Sequence, residues 1–74
     1  MRDKIKELLT ANYPDIDFES STELVDSGVL SSFIVVNIIS LFTVEFGVTI
    51  PYEEIIPENF NSLDAMASLV EKLQ

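Results

Sequence analysis

Three stretches of the chain repeat apolar residues at helical spacing, and no strand pattern competes with them. From Arg2 to about Tyr13 the apolar positions are Ile5, Leu8, Leu9 and, one turn on, Tyr13. Pro14 ends this first helix, because the residue before a proline is pushed out of the helical region and Tyr13 must already be leaving it. A second helix is predicted from Ser31 or Ser32 to Phe46, with Ser31 a good N-cap and Gly47 a good left-handed C-cap. On a helical wheel Val35, Ile38, Ile39, Phe42 and Phe46 share the face assigned to the core. The remaining face carries Phe33, Val36, Asn37, Ser40, Leu41 and Val44 and is more apolar than a solvated surface requires. Either this helix is buried nearly all round or part of that face is a docking surface. The last helix is capped by Asn61 or Ser62, has Asp64 in its first turn, and repeats Leu63, Met66, Ala67, Val70 and Leu73.

The connectors are read from their prolines and anchors. Between Pro14 and Ser31 the loop is long for a small domain, with Ile16, Phe18, Leu24, Val25 and Leu30 as its anchors into the core. Asp15, Asp17 and Glu19 alternate with Ile16 and Phe18, yet no glycine stands where a calcium loop needs its turn and no glutamate closes one. A solvated loop is the better reading. Ile50-Pro51 forces an extended step, and Tyr52 to Ile56 leaves room for one helical turn before Pro57, with Ile55 and Ile56 expected to point inward. Glu58 to Asn61 is expected to be a connector anchored by Phe60. The fold class is therefore all-α: a small bundle of three main helices plus one short helix, forming one domain over residues 1–74.

Charge and composition narrow what such a bundle does. Thirteen acidic residues against four basic ones give a net charge of −9, which disfavours nucleic acid and anionic membrane and favours partners with basic surfaces. With neither cysteine nor histidine, disulfides and the usual zinc sites are excluded. The charged start over Met1–Leu9 is no signal peptide, and the longest apolar stretch is broken by Asn37, Ser40, Thr43 and Glu45, so no membrane insertion and a cytoplasmic location are expected.

The informative stretch is Asp26 to Val36, where a polar loop turns at Gly28 and runs into the apolar second helix. Ser31 and Ser32 stand at the junction, and a phosphate ester made there would meet unpaired N–H groups and the positive end of the helix dipole. Ser27 is read as a turn residue. A serine acting as a nucleophile in its own enzyme needs a base; no histidine exists, and nothing brings Lys4, Lys6 or Lys72 to the junction. Glu53 and Glu54 read as a solvated pair on a short turn, and no glycine-rich phosphate loop is present. The chain is not expected to be an enzyme, so a functional serine here must be acted on by another protein.

Leu24-Val25-Asp26-Ser27-Gly28-Val29-Leu30-Ser31-Ser32-Phe33, then Glu45-Phe46-Gly47-Val48-Thr49-Ile50-Pro51, then Asn61-Ser62-Leu63 resemble the acyl carrier and peptidyl carrier proteins in order and spacing. The likeness covers nearly the whole chain and suggests a small free-standing member. It implies a helical bundle whose second helix begins at a serine carrying covalent 4′-phosphopantetheine, derived from coenzyme A. Aligned on Gly28 and Pro51, that serine is Ser32. It further implies a phosphopantetheinyl transferase, an acyl- or aminoacyl-loading ligase and a downstream transferase or synthase as partners of a monomeric carrier. Cargo would be held as a thioester, and its identity is not written in these residues.

Two positions depart from the family pattern. Ser31 stands where the family has an aspartate, and Phe33 replaces the usual leucine. Serine caps a helix about as well as aspartate, so Ser31 remains the cap beside the site. The second helix also lacks the family's acidic residues apart from Glu45. Docking is therefore expected to use Leu30, Phe33, Val36, Asn37 and Val44, with Asp26, Glu53, Glu54 and Glu58 steering at longer range. The alternative is an unmodified module that keeps the carrier fold and uses the apolar face of the second helix to bind a partner or form a dimer.

Overall fold

In the computed structural model, which describes residues 1–74, helix α1 runs over Arg2–Asn12 and stops at Tyr13. Tyr13 has φ −135° and ψ 70°, outside the helical region, as the following proline requires. Helix α2 spans Ser32–Phe46. Ser31 precedes it in an extended conformation, and Gly47 ends it in the left-handed region at φ 68°, where a side chain would be strained. Val48 and Ile50 then return to the core. A 3₁₀ turn over Tyr52–Glu54, helix α3 over Pro57–Phe60 and helix α4 over Leu63–Leu73 complete the chain. Both α1 and α3 pack on α4.

All sixteen buried residues are apolar and form one cluster, so burial of apolar surface is the force that holds the elements together. Ile5 and Leu9 from α1, Val35, Ile38 and Phe42 from α2, Phe60, and five residues of α4 supply most of it. The long loop contributes Phe18, Leu24 and Leu30 as buried anchors, with Ile16 and Val25 half-buried beside them. Its acidic alternation has a structural explanation. Asp17 accepts the N–H groups of Glu19 at 3.1 Å and Ser20 at 3.2 Å and the Ser20 hydroxyl at 2.7 Å, which closes a turn and holds its carboxyl below the ordinary range. Glu19 pairs with Arg2 at 2.7 Å and Lys6 at 3.2 Å, and Arg2 also meets Asp64 at 2.6 Å, fastening the loop to the starts of α1 and α4.

Three expectations need correction. Leu41, expected on the outer face of α2, packs half-buried against the core, because it lies only about 60° around the helix from Ile38 and the buried arc is wide enough to include it. Ile55 and Ile56 do not point inward: they are 38% and 40% exposed. The 3₁₀ turn stops at Glu54, and Ile56 is extended ahead of Pro57, so the pair leaves the helical path that would have aimed it at the core. Residues 58–61 are not a plain connector either. Pro57 sits at a helix start, where its missing N–H costs nothing, and begins the single turn of α3 that delivers Phe60 to the core. No helix is long and apolar enough to cross a membrane.

Candidate functional site

The site grows out of the loop that leads into α2. The N–H groups of Ser27, Gly28 and Leu30 donate to the carbonyls of Glu23, Val25 and Leu24, coiling residues 23–30 into a tight knuckle. Gly28, at φ 86°, takes the conformation that allows the reversal. Leu30 is drawn into the core at 2% exposure, and the chain emerges at Ser31 and Ser32, both exposed. Ser31 Oγ accepts the Ile34 N–H at 3.4 Å, capping the helix, so Ser32 occupies its first helical position with its hydroxyl uncommitted to the cap. No acidic residue stands in the first turn of α2. The positive end of the helix is thus not neutralised by the chain's own charge.

Beside Ser32 lies a cleft of about 400 Å³ between the start of α2 and the segment from Ile55 to Phe60. Its walls are Val25, Leu30, Val35 and Val36 on one side and Ile55, Ile56, Pro57 and Phe60 on the other. Ser31 and Ser32 are the only polar residues lining it. The structure therefore brings a free hydroxyl, an uncompensated helix N-terminus and an apolar recess to one place. That combination suits a phosphate ester with a long attached chain: the ester at the helix end, the less polar part against the cleft. No base that could activate Ser32 lines this cleft.

The residues expected to dock partners fall into distinct groups. Phe33 is 89% exposed and Val36 61%, both next to Ser32. Val44 is 85% exposed on the same helix, about 18 Å from Ser32 along the axis. Asn37 donates to the Tyr13 hydroxyl and so helps tie α2 to the end of α1. Leu30 is a correction: buried in the core, it presents no side chain to a partner. Glu53 and Glu58 are exposed, one on either side in sequence of the cleft residues Ile55, Ile56 and Pro57. Glu54 is engaged internally, by Lys72 and by Asn59, and these contacts, the lysine first, hold its carboxyl below the ordinary range. Asp26 accepts from Asn61 at 3.0 Å.

Two contributions escaped the sequence reading. Ile55 and Ile56 wall the cleft, a role hinted at only by two large apolar residues on a turn otherwise rich in carboxylates. Asn61, which the sequence offers as a helix cap and as part of the family resemblance, reaches 35 and 36 residues back to the loop before α2, and nothing local in its sequence signals that reach. A protein of Bradyrhizobium diazoefficiens named aminoacyl carrier protein 1 is 38% identical over 66 residues, which cover 89% of this chain and 72% of that protein. No family model matches the chain. No solved structure matches it with significance.

Proposed function

This chain belongs to the acyl and peptidyl carrier protein family and is a non-catalytic carrier, and from that premise we propose that Ser32 Oγ is the attachment point of a 4′-phosphopantetheine arm. The observation that carries the reading is an exposed serine at the first position of an apolar helix whose first turn holds no carboxylate, beside an apolar cleft. In the attachment step Ser32 Oγ forms a bond to the phosphorus of coenzyme A that bears the pantetheine. The pyrophosphate bridge breaks, 3′,5′-ADP leaves, and the serine proton passes to a base of a phosphopantetheinyl transferase. The bound arm supplies a terminal thiol on which cargo is held as a thioester.

The chain's own residues bind and present. The N–H groups at the start of α2 and the helix dipole stabilise the phosphodiester, and Ser31 keeps the helix start in register by capping it. Ile55, Ile56 and Val36 offer the arm an apolar wall, shielding it from water between encounters. Residues 1–74 act as one carrier domain in the cytoplasm, where coenzyme A and the partner enzymes meet it. The name of the Bradyrhizobium relative favours an amino acid as cargo, loaded by an adenylating ligase and passed to a transferase or synthase.

Partner docking on this reading is mainly apolar. Phe33 and Val36 project next to Ser32, and Glu45 is the only carboxylate of α2. The exposed Glu53 and Glu58 steer a basic partner surface at longer range. Incubation with coenzyme A and a broad-range transferase, followed by intact-mass measurement, tests the attachment. The expected result is the gain of one phosphopantetheine mass, lost in Ser32→Ala. No gain in the parent chain, or a gain that persists in Ser32→Ala, would overturn the assignment, and failure to gain would favour the unmodified interaction module.

A further inference from the structure

Asn61 lies between α3 and α4, far along the chain from Ser32, yet it is the fastening of the loop that delivers Ser32. Its side-chain oxygen accepts the N–H of Val25 at 2.9 Å and of Asp26 at 3.1 Å, and its amide nitrogen donates to Asp26 Oδ2 at 3.0 Å. Its backbone carbonyl accepts the Leu24 N–H at 2.9 Å. Four hydrogen bonds from one residue thus hold three consecutive residues of the loop. Leu24 in turn accepts from Leu30 at 2.9 Å, so the grip at Asn61 is one bond removed from the residue that precedes the Ser31-Ser32 junction.

We propose that Asn61 and Asp26 form a side-chain couple that positions the loop before α2 and thereby sets the rate at which Ser32 is modified, Asn61 being a positioning residue and Asp26 its partner. The inference rests on the reading of Ser32 as the attachment site. Its physical basis is that an amide satisfies a carboxylate and two N–H groups at once, because it carries an acceptor and a donor at fixed spacing. A carboxylate at position 61 would keep the acceptor, lose the donor and set two like charges together. On this account Asp26, though exposed, has one carboxylate oxygen engaged by Asn61.

Four chains decide the matter: the parent, Asn61→Asp, Asp26→Asn and the exchanged pair carrying both. In the exchanged pair the residue at 61 still accepts both N–H groups and the bond to position 26 runs in the opposite direction, with net charge unchanged. Asn61→Asp is expected to lower kcat/KM for arm transfer by about tenfold, within the range for coupled members of one hydrogen-bond network, and to speed amide exchange at Val25 and Asp26. Asp26→Asn, which retains an amide-to-amide bond, and the exchanged pair should both stay within about threefold of the parent. Loading of Asn61→Asp at the parent rate, or an exchanged pair as slow as Asn61→Asp, would overturn the couple. Asp26→Asn as slow as Asn61→Asp would overturn it too, since the carboxylate would then serve the transferase directly. If the parent takes no arm, the Ser32 reading falls and amide exchange alone judges the couple: protection lost in Asn61→Asp and regained in the exchanged pair upholds it, and unchanged protection refutes it.

Discussion

Helices α2 and α4 both begin on a serine whose hydroxyl accepts the N–H three residues on, Ser31 from Ile34 at 3.4 Å and Ser62 from Ala65 at 3.0 Å. Beyond the cap the two starts diverge. In α4 the first turn contains Asp64, which complements the dipole and is itself bound by Arg2 at 2.6 Å. In α2 the first turn contains no acid and looks onto an apolar cleft with a free hydroxyl at its rim. One start is completed by the chain's own carboxylate; the other has no such partner within the chain. The difference teaches that two helix starts with the same cap are set apart by the charge in the first turn and by what lies beside them.

The largest effect comes from the residue the two regions share. Phe60 is buried in the core immediately before α4 and also lines the cleft at α2. Phe60→Ala should cost about 3–5 kcal/mol, read from urea unfolding, and that is a large part of the stability of a domain this small. A smaller loss would mean that the cleft collapses to fill the space, and so that its walls are not fixed. Next in size is the cap of α4: Ser62→Ala should cost about 1 kcal/mol, a fall in Tm of about 4–8 °C. Ser31→Ala should cost about half as much by the same melt, because its cap bond is longer. Equal losses would show that the two caps are equivalent in solution.

Ser31→Asp makes the start of α2 resemble that of α4. It keeps the cap and adds a charge favourable to the dipole, and a gain of about 0.3–1 kcal/mol is expected in the same thermal measurement. Absence of any gain would argue that the dipole of α2 is already neutralised. The smallest effect concerns the carboxylates engaged within the fold, Asp17 and Glu19 in the first loop and Glu54 beside α4. Glu19 and Glu54 have folded-state pKa values below the ordinary 4.5, and Asp17 below 3.8. Between the unfolded and the depressed folded values the unfolded chain binds more protons. The stabilisation these groups give is therefore present above about pH 4.5 and is lost as the pH falls through the folded values. Urea midpoints should hold steady from neutrality to about pH 5 and decline below it, and Lys72→Met should flatten part of that decline by removing the partner of Glu54.

The local chemistry of the chain was readable from its residues wherever a single turn of backbone decides the outcome. Tyr13 leaves the helix because Pro14 follows, Ser31 and Gly47 bracket α2, and of the two expected caps of α4, Asn61 and Ser62, it is Ser62 that serves; each rests on contacts within about four residues. The same local signals narrowed the candidate hydroxyls at the start of α2 to Ser31 and Ser32, and the family resemblance pointed to Ser32. The family resemblance was legible too, because it rests on the order and spacing of such local signals.

Tertiary structure decided what those signals could not carry. Whether Leu41 belongs to the core depends on how wide an arc of α2 its neighbours cover, and Leu30 is closed to partners because the loop folds it under. The cleft exists only because Ile55 and Ile56, turned outward by an extended step before Pro57, come to stand opposite the start of α2. Asn61 meets Asp26 across 35 residues and Lys72 meets Glu54 across 18. The sequence by itself determined where α1 and α2 stop and that α2 begins at a serine hydroxyl, since capping and proline sterics act over one turn. The fold alone determined what stands opposite that hydroxyl and what holds its loop, since those contacts depend on how distant segments pack around one apolar core.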